Sequence, residues 1–206
     1  MVPLIDLSRR LQANSATFAA VIQQVMSSGS VLLGSQTIQF EEDFTRFAGT
    51  KYGVAVSSGA SALQLSLAAL GIGEGDEVIV PAMTAVPTAS AVCAVGARPI
   101  IVDVEEETAT IDLDLVEAAM TERTRAVIAV HLYGRPVANL DRLMNLGVTV
   151  IEDCAQSHGA TRGLSGSIGA YSFYPTKNLG GIGDGGMVVT NDDDVAERVR
   201  RLRVHG

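Results

Sequence analysis

The sequence contains only two cysteines, Cys93 and Cys154, among its 206 residues. Both lie in segments that we predict to be buried, and no CxxC motif pairs them. This scarcity argues against a fold held together by disulfide bonds. Free cysteines are typical of a reducing compartment, so we predict a cytoplasmic location.

Signals for targeting, metal binding and nucleic-acid binding are lacking as well. The N-terminal segment, MVPLIDLSRRLQANS, has no apolar signal-peptide core, and no apolar run is long enough to span a bilayer. The three histidines show no metal-ligand spacing such as HExxH. The net charge of −8 argues against nucleic acid as a partner, and we interpret the basic run ERVRRLRVHG as a solvated helix face. We therefore expect a soluble protein that binds no membrane, nucleic acid or metal ion.

What the sequence does contain is an alternation of strands and helices around one core. Its 47% hydrophobic and 18% charged residues suit a globular chain. Two helices are predicted first, from about Ser15 to Ser27 and in SQTIQFEEDFTRFAG, and a last helix begins near Asp193. The strands predicted between them are GVAVSS, DEVIVPA, RPIIVDV, RAVIAVHLYG, VTVIEDCAQ, AYSFYP and GGMVVTND.

Seven strands, several of them continuously apolar, are typical of a mostly parallel α/β sheet with helices on both faces. The intervening helices are predicted with Gly71 and Gly96 as stops and Asp112 as a cap. We find no repeat or charged linker, so one domain fits best. Ligands in open α/β sheets bind beyond the carboxyl ends of the strands, which makes the residues after each strand the ones to inspect.

A segment suited to anions follows the first strand. In SSGASAL, from Ser57 to Leu63, Gly59 allows the backbone to approach a ligand closely. The helix that starts there offers free N–H groups and a positive dipole end, which favour phosphate. Taken alone, the segment fits an ordinary helix cap better.

Two adjacent carboxylates, Glu152 and Asp153, end the fifth strand in IEDCAQSHGA. In a strand they face opposite sides, so at least one lies near the core and needs a cationic or hydrogen-bonding partner. A structural salt bridge and a carboxylate that holds a protonated ring nitrogen explain the pair equally well. For His131 we expect a strand-end side chain satisfied by the backbone, and for His158 the sequence decides nothing.

The segment SFYPTKNLGGIGDGG, from Ser172 to Gly186, follows the sixth strand. Its Ser172 hydroxyl and Lys177 amine face one pocket if the chain turns at Pro175. A partly buried lysine keeps more of its amine uncharged, and this is the form that attacks carbonyls. Lys177 is therefore a candidate Schiff-base residue, although exposed loop lysines are commoner.

The glycines of that segment also match the dinucleotide pattern GxGxxG in GIGDGG. That fingerprint requires a helix after the glycines, whereas the strand MVVTND follows here, and no GxxxxGK[ST] motif is present. We exclude a Rossmann nucleotide site.

In combination, the three strand ends supply a phosphate cradle, a buried carboxylate and an activated lysine. One cofactor uses all three, because pyridoxal 5′-phosphate has a phosphate, a basic ring nitrogen and an aldehyde. We therefore predict a pyridoxal phosphate site in which Lys177 carries the aldehyde.

The motifs that hold these residues resemble the DegT/DnrJ/EryC1/StrS family of pyridoxal phosphate-dependent sugar aminotransferases. They are VPLIDLSRR, SSGASALQLSLAAL, GDEVIVPAMTAVPTASAV, GARPIIVDV, IEDCAQSHGA and SFYPTKNLGGIGDGGMVVTND, and they cover essentially the whole chain. The resemblance implies that residues 1–206 form a large domain of fold type I, like that of aspartate aminotransferase. It also implies that Lys177 forms the Schiff base, Asp153 pairs with the pyridine nitrogen and Gln156 contacts the cofactor near its ring hydroxyl.

The chain departs from the family at the phosphate and at the ring face. By resemblance, Ser172 and the backbone of Gly59, Ala60 and Ser61 hold the phosphate. Family members usually carry threonine in place of Ala60 and often an aromatic residue in place of Ala85. One phosphate hydroxyl and a stacking face are therefore expected to be missing.

The reaction implied by the resemblance moves an amino group from an amino acid, by analogy glutamate, to a nucleotide-linked keto sugar in a homodimer. Family members continue beyond RVHG into a smaller C-terminal domain, so we interpret the chain as a large domain truncated before it. The alternatives are a non-catalytic dimerisation or regulatory module, an enzyme acting on a cyclitol ketone, and a dehydrase or lyase. Lys177 argues against dehydrases that carry histidine there.

Overall fold

The computed structural model describes residues 2–160 and 163–206 and contains one seven-stranded sheet. The strand order is β1-β7-β6-β5-β4-β2-β3. Strand β7 runs antiparallel to both of its neighbours, and the other neighbouring strands are parallel. The predicted mostly parallel α/β sheet is confirmed. The strands are β1 Tyr52–Val56, β2 Glu77–Pro81, β3 Arg98–Val102, β4 Thr124–Val130, β5 Thr149–Asp153, β6 Ile168–Ser172 and β7 Gly186–Thr190.

Helices cover both faces of the sheet because alternate strand residues point to opposite sides. On one face α4, α5 and α8 bury apolar side chains such as Leu67, Val92 and Val199. On the other face α6 and α7 form one apolar cluster and α3 forms an aromatic one. The helices are α1 Leu7–Ala13, α2 Ser15–Ser28, α3 Ser35–Ala48, α4 Gly59–Ala69, α5 Val86–Ala94, α6 Leu113–Ala119, α7 Leu140–Asn145 and α8 Asp193–Leu202.

The predicted helix ends are set by local chemistry. Asp112 accepts hydrogen bonds from the N–H groups of Asp114 and Leu115 and so caps α6. Gly71 and Gly96 follow α4 and α5 with φ of 74° and 83°, a left-handed conformation that favours glycine. These three predictions are confirmed.

The structure differs from the sequence analysis in one helix that was not predicted, one strand end and the burial of one cysteine. The sequence pattern did not predict α1, every residue of which is exposed or half-buried, so it lacks the apolar stripe of a packed helix. Strand β4 ends at Val130 instead of continuing to Gly134, because Tyr133 has a φ of 55° that no strand adopts. Cys93, predicted to be buried, is exposed on α5, whereas Cys154 is buried.

None of the helices in residues 2–160 and 163–206 is long and apolar enough to cross a membrane.

Close packing of β7 against the start of α4 generates a stability prediction. A Cβ atom on Gly186 would lie 2.2 Å from the Ser58 carbonyl oxygen, which belongs to the backbone and cannot rotate away. We expect Gly186→Ala to lower the free energy of unfolding by roughly 1–3 kcal/mol, measured by urea denaturation. Gly183→Ala is the control, because its Cβ would meet no atom of the described residues within 4 Å. Equal stability of the two variants would contradict this packing.

Candidate functional site

The residues singled out in the sequence converge at one edge of the sheet. Strands β1, β2, β4, β5 and β6 share one direction, so the segments that follow them meet at their carboxyl ends. The register carries this alignment from strand to strand: Asp153 lies opposite Val130 and Ala170, and Ser172 lies opposite Gly186. The sheet thus brings together the ends of segments that are far apart in the chain.

Asp153 is the buried carboxylate of this edge, with 7% of its surface exposed. Its Oδ2 accepts a hydrogen bond of 3.0 Å from the Thr88 hydroxyl, and its Oδ1 accepts one of 3.1 Å from the Ala155 N–H. Burial raises the pKa of Asp153, and these two hydrogen bonds together with the charge of Lys177 act against the rise. The carboxylate is therefore fixed in orientation, and a cationic group beside it would stabilise its charged form.

Glu152 points to the opposite face, as the strand geometry predicted. Its Oε2 lies 2.7 Å from Nε2 of His131, and both side chains are 1% exposed. The Val137 N–H donates to Nδ1 of His131, so Nε2 carries the proton and donates it to the carboxylate. The Gly166 N–H donates to Oε1 at 2.6 Å. Backbone therefore satisfies one nitrogen of His131, as predicted, and Glu152 satisfies the other.

A third potential metal ligand, Cys154, lies beside this buried pair. The ligand atoms of His131, Glu152 and Cys154 all lie within 4.8 Å of one another. The histidine and the carboxylate are already committed to each other and to backbone groups. Burial also raises the pKa of the Cys154 thiol, which disfavours the thiolate that binds metals. The geometry is that of a structural hydrogen-bonded pair.

The first turn of α4 and Ser172 form a pocket of hydroxyl and N–H donors. A Cβ on Gly59 would lie 2.6 Å from Cβ of Ser172, so only glycine allows this approach. The hydroxyl of Ser61 lies 2.8 Å from that of Ser57. The N–H groups of Gly59 and Ala60 have no intrahelical acceptor at this position, whereas the Ser61 N–H donates to the Ser58 cap. The donors suit a phosphate group.

Gln156 follows β5 by three residues and holds a strained turn. Its Oε1 accepts a 2.7 Å hydrogen bond from the N–H of Tyr133, the residue with φ of 55°. This contact assigns the carboxamide orientation, because the oxygen is occupied by a donor. The amide NH₂ of Gln156 is consequently the group available to donate to an acceptor on a ligand.

Lys177 is half-buried in the turn after β6. Its N–H donates to the Tyr174 carbonyl at 2.8 Å, and α1 supports the following glycines through a bond from Arg10 to the Gly181 carbonyl. The sequence contains one further lysine, Lys51, which is 55% exposed and pairs with Asp193 on another part of the surface. Lys177 is thus the single lysine placed at this edge.

Two further residues named from the sequence, Ala85 and His158, lie outside the set of hydrogen bonds described above. Ala85 is exposed as the N-cap residue of α5, one turn before Thr88. The His158 ring packs edge-on against Tyr171 and tilted against Phe173, with centroid distances of 5.3 and 5.8 Å. Burial lowers the pKa of His158, so the ring remains neutral within this aromatic cluster. The sequence analysis missed Thr88 and Tyr133, although a polar residue on the sheet-facing side of α5 was a signal for the first.

Comparisons with known proteins give a consistent result. Residues 12–206 match the model of the DegT/DnrJ/EryC1/StrS aminotransferase family. The dTDP-3-amino-3,4,6-trideoxy-alpha-D-glucose transaminase of Streptomyces venezuelae is 47% identical, with 100% of this chain and 56% of that protein covered. The chain therefore spans little more than half the length of this curated relative.

Solved structures show the same fold. The crystal structure of S. venezuelae DesV has a TM-score of 0.93 and 47% identity, covering 100% of this chain and 57% of that one. NtdA from Bacillus subtilis, solved with bound cofactor PMP, has a TM-score of 0.93 and 31% identity over 100% of this chain and 48% of that one. The predicted aminotransferase fold is confirmed.

The burial of Asp153 predicts a pH-dependent stability difference. Because its pKa is raised in the folded chain, the stability that it contributes is present below its ordinary value of 3.8 and lost as pH rises. We expect Asp153→Asn to be more stable than the unsubstituted chain at neutral pH, by about 1.4 kcal/mol per unit of raised pKa.

The measurement is urea unfolding of both chains without added ligand, from about pH 4 to about pH 8. The stability gain of Asp153→Asn should grow with pH across this range. Asp184→Asn, at an exposed carboxylate, is the control and should show no such trend. A stability difference that is independent of pH would contradict the burial cost assigned to Asp153.

Proposed function

The chain belongs to the DegT/DnrJ/EryC1/StrS aminotransferase family, and on this basis we propose that it is the cofactor-binding large domain of a pyridoxal 5′-phosphate-dependent aminotransferase. The amino group would pass from an amino acid, by family analogy glutamate, to a nucleotide-linked keto sugar. The observation that carries the proposal is that the buried Asp153, the Lys177 whose charge acts on it, and the α4–Ser172 donor pocket lie at one sheet edge. The names of relatives such as the S. venezuelae transaminase support the sugar class of acceptor.

The residues present fit the charge pattern of pyridoxal phosphate. The N–H groups of Gly59 and Ala60 and the hydroxyls of Ser61 and Ser172 would bind the phosphate, with the N-terminal dipole of α4 favouring its negative charge. The close approach of Gly59 to Ser172 supports this assignment, because it places the first turn of α4 directly beside the Ser172 hydroxyl. These four neutral donors, three at the start of α4 and one at the end of β6, would form a phosphate site without a cationic side chain of α4 itself.

The ring would be held by groups that β5 and α5 position. Asp153 would accept a hydrogen bond from the ring N–H and so keep the nitrogen protonated, a role that its burial and its shortage of cationic neighbours favour. The free NH₂ of Gln156 would donate to the ring hydroxyl oxygen, since its amide oxygen is occupied by Tyr133. Ala85 would face the ring without stacking on it.

Lys177 would supply the amine that bonds the cofactor and moves protons. When bound, pyridoxal phosphate supplies an aldehyde that condenses with amines and a ring that withdraws electrons from them. The Lys177 amine, once free, would act as general base and acid by taking a proton from the donor carbon and returning one to the acceptor. Asp153 would keep its own negative charge at the ring nitrogen throughout.

We further infer that the protein functions as a homodimer in the cytoplasm. Large apolar side chains lie exposed around the candidate site, which is typical of a surface covered by another subunit. Two free cysteines, one of them exposed, support a reducing compartment. The exposed apolar residues are Met83, Val86, Tyr133, Tyr174, Leu179 and Ile182.

The first test of the proposal is borohydride trapping. We expect the chain with added pyridoxal phosphate to give, after reduction, a stable cofactor adduct that peptide mapping places on Lys177. Lys177→Ala should lose the adduct and keep its circular dichroism spectrum, because the side chain is only half-buried in a loop. Lys51→Arg is the matched control at the other lysine and should retain the adduct fully.

The outcomes separate the possible functions. A specific adduct in Lys177→Ala would refute the assignment of Lys177. A folded chain that forms no adduct would favour a non-catalytic module, and an adduct without amino transfer to any keto sugar nucleotide would favour a cyclitol ketone as acceptor or a different reaction type.

Subunit association gives a second test. We expect sedimentation velocity to show a species of twice the 21.5 kDa chain mass. Val86→Glu, at a residue 79% exposed beside the site, should weaken this association by roughly tenfold or more, because it places a charge in an apolar contact. Leu146→Glu, at an exposed residue before β5 and so at the opposite edge of the sheet, is the control. A single-chain mass at all concentrations would refute the homodimer for this chain.

A further inference from the structure

We propose that Thr88 is a positioning residue for the reaction: a hydroxyl relay from Thr84 through Thr88 orients the Asp153 carboxylate towards the ring nitrogen. This inference rests on the proposed function, because the proposed cofactor supplies the ring nitrogen towards which Asp153 is oriented. The relay itself is a property of the chain without cofactor and can be tested without it.

The relay consists of two hydrogen bonds with a defined direction. The Thr88 hydroxyl, which is 0% exposed, lies 3.0 Å from Oδ2 of Asp153 and 2.7 Å from the hydroxyl of Thr84. A hydroxyl has a single proton, and an ionised carboxylate can only accept. Thr88 therefore donates to Asp153, and Thr84 donates to Thr88.

The surroundings of Asp153 explain why a neutral relay matters. Of the helices that cover this face, α4 and α5 contain no charged residue, since their sequences are GASALQLSLAA and VPTASAVCA. The third, α8, is charged and packs against α4, β1 and β7. The titratable groups that act on Asp153 are Lys177 in the loop after β6 and His131 after β4. Because Glu152 holds His131 on the other face, the Thr88 hydroxyl and the Ala155 N–H are the groups that bond directly to the carboxylate among the described residues.

The two bonds hold the carboxylate from both oxygens. Oδ1 is fixed by the turn that follows β5, and Oδ2 is fixed by a helix that begins 67 residues earlier in the sequence at Val86. The plane of the carboxylate is thus set before any ligand arrives, which is the condition for a preorganised electrostatic site. Thr84 is next to Ala85, the residue that would face the ring. The same hydrogen bonds therefore connect the start of α5 to the Asp153 carboxylate.

The relay can also reverse. When Asp153 takes up a proton, its O–H can donate to Thr88, which then donates to Thr84, and no hydrogen bond is lost. The protonated and ionised carboxylates therefore share one geometry. A threonine-to-valine change keeps the side-chain shape and removes this adaptability.

The test measures Asp153 directly in the chain without cofactor. ¹³C NMR of aspartate labelled at the carboxyl carbon follows its titration, and the signal that disappears in Asp153→Asn assigns the resonance. We expect Thr88→Val to raise the proton affinity of Asp153 by roughly tenfold, because the hydrogen bond that it removes is stronger to the charged carboxylate than to the neutral acid. Thr88→Ser restores the hydroxyl and should return the titration to within about twofold of the unsubstituted chain.

Thr84→Val is a second, independent variant at a half-buried site. It should shift the titration in the same direction by a smaller factor, because Thr88 keeps its bond to Asp153 but loses the bond that orients it. This variant keeps the inference falsifiable if Thr88→Val does not fold. An unchanged Asp153 titration in Thr84→Val, and in Thr88→Val if that variant folds, would overturn the relay. A Thr88→Ser chain that does not restore the titration would overturn it as well.

The two proposals fail separately. If borohydride trapping finds no adduct on Lys177 but the titration shifts as expected, the relay stands and the cofactor assignment falls. If trapping succeeds and the titration does not move, Thr88 is a packing residue of α5 and the relay is refuted.

Discussion

Burial of the Asp153 carboxylate is the constraint around which the candidate site is arranged. A carboxylate removed from water is costly unless donors or cations surround it. Here the donors are the Thr88 hydroxyl and the Ala155 N–H, and the nearby positive charge is that of Lys177. These contacts lessen the cost of burial without removing it, because the pKa of Asp153 remains raised. A site that retains this cost in the free chain gains when a protonated ring nitrogen binds, and the proposed cofactor supplies one.

Adjacent carboxylates perform different tasks because a strand alternates its side chains. Glu152 lies against His131 on one face, where Val137 and Gly166 complete a closed set of hydrogen bonds. Asp153, on the other face, lies at the carboxyl end of β5, and each of its oxygens accepts one hydrogen bond. The Glu152–His131 pair joins the end of β4 to β5 and so stabilises the sheet at this edge. Asp153 provides the negative charge that the proposed chemistry uses.

Glycine governs how closely the other half of the site can assemble. Gly59 meets Ser172, and Gly186 meets the Ser58 carbonyl, at distances that leave no space for a Cβ atom. These approaches bring the start of α4 onto the ends of β6 and β7. The proposed phosphate donors and the lysine loop are thereby held on the same rigid layer as Asp153, which suits a cofactor that must be held at three points.

Hydrophobic periodicity, helix caps and glycine stops act over a few residues, so the strands, most of the helices and the strand-end segments could be predicted from the sequence. The sequence also predicted that Lys177, Asp153 and Ser172 belong to one site. Which groups bond to these residues is seen only in the folded chain. Thr88 and Asp153 are 65 residues apart in the chain, His131 and Glu152 are 21 apart, and Tyr133 and Gln156 are 23 apart. No local pattern encodes such pairs, since each depends on the order in which the sheet places its strands. For the same reason the surface helix α1, joined to the glycine loop through Arg10, was recognised only in the folded chain.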